Sequence, residues 1–488
     1  MSTGTHQYDL AVVGAGSGGI GAAVAAARAG LRVVLIEKAD VVGGNAVRGG
    51  VHTWEMTAGA TGIPFDIYRR LRRIPLAVGV YSIGRHICWP AADGSQTFYG
   101  GESVIDPQRR YIDSLRRHGT RGFRGPEHIL RETWHGVPFE PEHYCAVVEQ
   151  MLAETGCCTL LKRTAFTKVH TDGSRITALE LDNGTTVTAR AYVDGTADGL
   201  LCIACGCETI SGQESRDTFD EPGAPETAND MVNAVTLVYR VTPTDAPRVE
   251  PTPRDIPEDC WWAARFPVVS CTQYPNGDRN MNMLPTMEGR EFLRQPYAAA
   301  YAECRRRVLA HWRFMQQRMP EFQAFALKWI APGLGVRETQ RIVGEYVLTE
   351  HDLLAGMSGQ RHEDIIAITD HAMDTHGGGN RRGGCGDLPG PYGVPYRCLI
   401  PRGWRNLLIA CRAASMSSIA ASSCRLSRTM MQLGQAAGAG AALAARDGVD
   451  LPDVSPVELR AALRRQHAQV DWPTPADLLA HLRDEDAP

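Results

Sequence analysis

What this chain of 488 residues lacks narrows its class before any motif is read. No apolar run approaches the roughly 20 residues that a membrane-spanning helix needs. Met1 to Asp9 is polar and leads straight into a strand, without the charged-then-apolar build of a secretory leader, so the cytoplasm is the expected location. Basic charge is not in excess; the formal net charge of -4 argues against a nucleic-acid-binding surface. Cysteine occurs 14 times but is scattered, which in a large chain without a leader argues against a disulfide framework. The tightest cluster, Cys202, Cys205 and Cys207, has no partner pair at zinc-finger spacing and reads as small apolar packing, as does Cys157-Cys158. No metal is expected. The length allows two or three domains with large cores.

What is present begins with Leu10 to Val13, an apolar run suited to a buried parallel strand, followed by Gly14-Ala15-Gly16-Ser17-Gly18-Gly19. Gly14 and Gly16 allow the tight turn and close backbone approach that a pyrophosphate needs, and Gly19 lets the next helix sit close to the strand. That helix carries Ala23, Ala27 and Gly30, and its first amides are free to face phosphate charge. Arg32 to Ile36 reads as a second strand, with Glu37 at its end placed for an adenosine ribose and Lys38 beside it. Strand, turn, helix, strand and acid in register predict a dinucleotide site, with FAD and NAD both open.

Gly43-Gly44, then Asn45 and Gly49-Gly50, resembles the double-glycine stretch of the glutathione-reductase-type FAD fold, where such residues pass beside the pyrophosphate and flavin. Further on, a predicted helix at Glu142 to Glu154 precedes strands near Thr159 to Val169, Arg175 to Leu181 and Thr185 to Tyr192, with Asp172-Gly173 and Asn183-Gly184 as turns. Phe166, in the first of these, belongs to the expected cofactor contacts. The meander returns to Val193-Asp194-Gly195-Thr196-Ala197-Asp198-Gly199, which resembles the Val-Asp-Ala-Thr-Gly-Asp-Gly element of FAD-dependent oxidoreductases allied to fumarate reductase flavoproteins. Gly335 to Glu345 resembles that family's Arg-Glu-Ser-Arg-Arg-Ile-Val-Gly segment, and Tyr392 to Pro401 with Asn406 to Arg412 its Tyr-Gly-Ile-Pro-Tyr-Arg stretch and following strand.

The resemblance covers residues 8 to 210 and 330 to 445, and it implies FAD held by Asp194, Gly195 and Arg412 together with the opening motif. It also implies that the closing helix, Thr429 to Ala445, points its N-terminus at the flavin's pyrimidine end through Thr429 and Met430. The pattern is departed from at Ser415 to Ala420, where Ser418 stands in place of a histidine, and at Cys411, which replaces glycine.

The fold class expected is therefore α/β: a Rossmann-like FAD-binding domain with a parallel sheet and β-meander, plus an inserted α+β substrate domain. Residues 1–210 form the first part of the FAD domain, with a helical and loop excursion at 57–140 that includes Trp89, Tyr99, Gly100-Gly101 and the Arg-rich stretch Arg116 to Arg124. Residues 211–334 form the substrate domain, with strand character at Val232 to Thr242, Trp261 to Val269 and Arg279 to Leu284, and a helix from Glu291 to Met319. Its candidate substrate contacts are Trp261-Trp262, Tyr274, Arg279 and Asn282. Residues 335–445 return to the FAD domain, and 446–488 make a helical tail.

For chemistry, Asp370-His371-Ala372-Met373-Asp374-Thr375-His376 is the candidate segment, followed by the loop Gly377 to Gly384. An Asp-x-His pair in extended chain puts both side chains on one face, so Asp374 is placed to orient His376 as a general base. His52 is a second candidate base, and Arg337 or Arg412 a candidate for holding a substrate carboxylate or the flavin's polar edge. There is no second dinucleotide fingerprint and no paired redox cysteine near these motifs. The reading is an FAD-dependent dehydrogenase or oxidase of a small organic molecule, without nucleic-acid or membrane partners and with homo-oligomerisation left open. A reductase or monooxygenase fed by an external reductant, and a protein whose flavin is structural or net non-redox, are the alternatives.

Overall fold

The computed structural model describes residues 4–90, 93–120, 125–263, 267–377 and 384–486. Gly378 to Gly383 of the loop after His376, and Arg121 to Arg124 of the Arg-rich stretch, lie outside the described residues.

A seven-stranded sheet carries the opening motif. Strand β1 (Thr5–Val13) pairs in parallel with β2 (Val33–Ile36) on one side and with Thr186–Asp194 on the other; Cys158–Leu161 extends it beyond β2. Arg175–Leu181 and Phe166–Asp172 add the antiparallel meander, and Leu407–Ile409 lies parallel to the end of Thr186–Asp194. The stretch expected as one strand from Thr159 to Val169 is thus two strands serving opposite edges of the sheet. The parallel strands are fully apolar where covered on both faces: Leu10, Ala11, Val12, Val34 and Leu35 are all completely buried.

Helix α1 (Ser17–Arg28) and the closing helix Ser427–Asp447 pack against each other almost backbone to backbone. A Cβ on Gly434 would lie 1.9 Å from Gly18 O, and one on Gly438 would lie 2.3 Å from Ala22 O. Small residues in both helices permit an approach that any side chain would prevent.

A second sheet of eight strands runs in the order Phe325–Ile330, Tyr239–Pro243, Arg279–Leu284, Val268–Gln273, Gln96–Ile105, Tyr81–Pro90, His135–Pro138 and Thr53–Trp54. This corrects the expectation for residues 57–140. Tyr81–Pro90 and Gln96–Ile105 are ten-residue strands that join the strands of the middle block through a parallel pairing that runs from Gly100 opposite Val269 to Ser103 opposite Thr272. Their glycines and scattered polar residues conceal the alternation expected of a strand, because this sheet is covered unevenly. Strand formation in the middle block begins at Val268 rather than Trp261, and at Tyr239 rather than Val232. The expected helix from Glu291 to Met319 is split into Gly289–Leu293 and Tyr297–Arg318, because Pro296 lacks an amide donor and starts the second helix as its N-cap.

The tail folds back as helices Pro456–Arg465 and Ala476–Arg483. Its anchor is Glu485, which pairs with Arg72 and accepts the Tyr111 backbone N–H at 2.7 Å. Among the described residues, no helix is long and apolar enough to cross a membrane.

Candidate functional site

The two sheets enclose a cavity of about 1340 Å³. Pockets for one small ligand are typically about 300–1,000 Å³, so this volume accommodates a dinucleotide together with a second, smaller molecule.

At one end lies the strand-turn-helix joint. Gly14 takes φ 93°, and a Cβ there would sit 2.6 Å from Gly195 O, so only glycine serves both the turn and the contact. Helix α1 begins at Ser17 with Gly16 as N-cap and no side-chain cap, which leaves its first amides available to an anion. Gly14, Gly16, Ser17, Gly18, Gly44, Asn45 and Gly195 all line the cavity. Glu37 lines it too, its carboxylate accepting the backbone N–H groups of Ala15 and Ala39, each at 2.7 Å. A carboxylate offers about four acceptor sites, so two remain for ribose hydroxyls. Lys38, Phe166, Arg412 and Met430 complete the expected set on the cavity wall, with Arg412 held by Asp198 at 2.6 Å.

Four expected cofactor residues are not on the wall. Asp194 is fully buried behind it and accepts from the Thr196 N–H at 2.9 Å, the Thr196 hydroxyl at 2.7 Å and the Cys202 N–H at 2.9 Å. It shapes the turn that presents the Gly195 backbone; burial raises its pKa. Gly19 lies beneath the turn, where a Cβ would meet Gly14 O at 1.8 Å. Gly43 takes φ 109° and presents Gly44 rather than itself. Thr429 is buried, its hydroxyl 3.4 Å from that of Thr369.

At the other end stand the titratable groups. Asp374 lies on the strand Met373–Thr375 and accepts His376 Nε2 at 2.7 Å and Arg425 Nη2 at 2.8 Å. Burial works against ionisation of Asp374, but His376 and Arg425 outweigh it and hold the carboxyl well below the usual range. Burial lowers the pKa of His376, against the pull of Asp374 and with that of Arg337, so the ring is neutral near pH 7. Nε2 donates to Asp374, which leaves Nδ1 as the basic nitrogen.

His52 is on the same wall, but its Nε2 donates to Val47 O at 3.0 Å and burial brings it down to about 4. Asp370 is not a site residue: it gathers the N–H groups of Ala58, Arg117 and His118 and the His118 ring.

Several residues on the wall were not singled out by their sequence. Glu55 is bonded by Arg117 Nη1 at 2.7 Å; burial works to raise its carboxyl, and His371 and Arg117 overcome this to bring it down to about 2. Arg117, which belongs to the Arg-rich stretch Arg116 to Arg124 read from the sequence, also donates to Asp387 at 3.1 Å and stacks 4.1 Å over the Trp134 ring. Arg425 and Arg428 flank the start of the closing helix. Two arginines beside an alanine- and glycine-rich helix were the available signal; Glu55 has none. Of the expected substrate contacts in the middle block only Asn282 reaches the wall. Trp261 and Trp262 pack on each other, Tyr274 donates to His52 O at 2.9 Å, and Arg279 pairs with Glu102. The cysteine cluster lies off the cavity wall; Cys202 is buried, and among the described residues no three or more His, Cys, Asp or Glu side chains stand together as a ligand set.

The cradle closed to side chains, the uncapped helix start and the anchored Glu37 fit FAD. Residues 9–463 match the family model described as FAD dependent oxidoreductase. The chain belongs to this family. This FAD-dependent oxidoreductase is similar in overall fold to a geranylgeranyl bacteriochlorophyll reductase-like protein of Thermoplasma acidophilum, over 99% of this chain and 97% of that one, at 11% identity and a TM-score of 0.46. It is also similar to the myxobacterial chondrochloren halogenase CndH, over 95% of this chain and 79% of that one, at 12% identity and a TM-score of 0.44. A third likeness is to the aromatic hydroxylase CabE of angucycline biosynthesis, over 98% of this chain and 72% of that one, at 15% identity and a TM-score of 0.43. No curated protein matches the oxidoreductase by sequence.

Proposed function

We propose that this oxidoreductase is a dehydrogenase or oxidase that removes a hydride and a proton from a small organic alcohol or amine. The observation that carries the reading is that the Asp374–His376 pair opens on the same cavity as the dinucleotide cradle. FAD would supply the hydride acceptor when bound there, and an external two-electron acceptor would complete the balance. The cradle would be Gly14, Gly16, Ser17, Gly44, Asn45 and Gly195, with Glu37 on the ribose and Arg412 and Met430 nearer the flavin.

His376 is the proton acceptor. Loss of hydride from a carbinol carbon leaves a positive carbonyl oxygen that must shed its proton, and a neutral imidazole takes it at Nδ1. The resulting imidazolium is stabilised by ionised Asp374, which Arg425 keeps in place. In this reading the eight-stranded sheet is the substrate-facing domain, formed by residues 211–334 together with strands from 53–138. The segments Val193 to Gly199, Gly335 to Glu345 and Tyr392 to Arg412 support kinship with fumarate reductase flavoproteins.

The test is anaerobic reduction of the purified yellow holoenzyme. Bleaching by an alcohol or amine, slowed at least a hundredfold in His376→Ala, is expected. Bleaching by NAD(P)H alone would replace this reading with the externally reduced monooxygenase or reductase, and a flavin that no donor reduces would replace it with a non-redox role.

A further inference from the structure

We propose that Arg337 is a substrate-binding residue that holds an organic carboxylate, which makes the substrate a small 2-hydroxy or 2-amino acid; this rests on the hydride-transfer reading above. Arg337 Nη1 donates to Ala234 O at 2.8 Å and to the Thr236 hydroxyl at 2.7 Å, both neutral acceptors. Its Nε and Nη2 make no hydrogen bond, and no carboxylate among the described residues lies within ion-pair distance of it. The carboxylates that act on it from further away are committed elsewhere: Asp374 to His376 and Arg425, Glu55 to Arg117.

Burial and the neighbouring Arg425 both work to lower the pKa of Arg337, yet a guanidinium keeps its proton in a protein. A charge enclosed in this way, with two arginines facing one shared carboxylate, is completed by an anion from outside. The unused Nε and Nη2 form the planar fork that matches a carboxylate's two oxygens.

The position of that fork relative to the base narrows the class further. Ala234 accepts Arg337 through its carbonyl and donates its N–H to His376 O at 3.1 Å. Arg337 and His376 therefore hang from the two sides of one residue. Both residues line the same cavity, and in this proposal an acid seated on Arg337 turns the hydroxyl or amino group of its adjacent carbon toward His376, where the proton is taken.

The holoenzyme tests this by titration with acetate, butyrate and benzoate against acetamide, butyramide and benzamide, followed through the flavin absorbance. At least one carboxylate is expected to bind more tightly than its amide. Arg337→Gln is expected to weaken that binding by about tenfold to a hundredfold while FAD content and the unliganded spectrum stay as in the parent. Arg337→Lys, which keeps charge but loses the fork, is expected to fall between the two and serves alone if the Gln variant does not fold. Acids that bind no better than their amides overturn the proposal. So does an Arg337 variant with altered flavin spectrum or FAD retention but unchanged carboxylate affinity, which would place Arg337 on the flavin's own polar edge. Carboxylates that bind through Arg337 while no 2-hydroxy or 2-amino acid reduces the flavin would sink the hydride reading, and the 2-hydroxy or 2-amino acid assignment with it, and leave only the carboxylate site at Arg337 standing. Reduction by neutral alcohols without carboxylate binding would do the reverse.

Discussion

Arg425 donates through Nη2 to Oδ2 of Asp374 at 2.8 Å, and that same oxygen accepts His376 Nε2 at 2.7 Å. The arginine thus secures the negative charge that fixes the tautomer of the histidine. Burial alone would press Asp374 toward its protonated form, which would lose this control.

Asp374→Asn retains the shape of the pair but cannot hold the imidazolium that forms on proton uptake. The rate of flavin reduction by substrate, measured anaerobically by stopped flow, should fall by about 10²- to 10⁴-fold with FAD still bound. A rate within threefold of the parent removes Asp374 from the chemistry.

The pH dependence of that reduction has a definite sign. His376 acts in its neutral form and its pKa is lowered by burial, so the rate should rise with pH through a value below the ordinary histidine value of about 6.5 and then level off. The rise should vanish in His376→Ala; a rise centred well above 6.5 would point to another base.

Glu37→Ala removes the acceptor for the Ala15 and Ala39 amides as well as for a ribose. FAD affinity, read by fluorescence titration of the apoprotein, should weaken about tenfold or more. Undiminished affinity would mean that the ribose does not sit on this carboxylate.

Gly434→Ala drives a methyl group toward Gly18 O, which is backbone and cannot swing aside. Thermal or denaturant unfolding should show a loss of about 1–3 kcal/mol, the usual range for overpacking, or more. A variant as stable as the parent would show that α1 and the closing helix can separate at no cost.

Stability itself should fall in acid through buried neutral histidines. Burial brings His52 to about 4 and His311 to about 3, whereas in the unfolded chain both take up protons below about 6.5. The unfolded state binds more protons between those limits, so their contribution is complete above about pH 6.5 and is lost as pH falls toward 4 and below. His52→Gln, which keeps a donor for Val47 O, should flatten part of the decline of Tm with acidity; an unaltered slope excludes His52.

The dinucleotide half of the site was legible because its chemistry is local. Leu10 to Val13, the glycines from Gly14 to Gly18 and Glu37 fall within one strand-helix-strand unit, and each constraint acts between near neighbours in sequence. Asp374 and His376 were legible for the same reason, since two residues apart in extended chain share a face. Asp194 showed where such reading stops: the motif marks the turn correctly, but which of its atoms reaches the cavity depends on the direction of a side chain packed from behind.

By itself, then, the sequence determined the glycine turn with Glu37 and the Asp374–His376 pairing, because short-range geometry and glycine's conformational freedom suffice for both. Tertiary structure alone decided what surrounds them. Arg425 lies 51 residues from Asp374, and Arg117 lies 62 from Glu55. The strand Gln96–Ile105 pairs in parallel with Val268–Gln273 from Gly100 opposite Val269 to Ser103 opposite Thr272, and a Cβ on Gly100 would lie 1.7 Å from Val269 O. Such pairings depend on the enclosed volume and on which charges are left without partners once water is excluded, and no local pattern of residues encodes either.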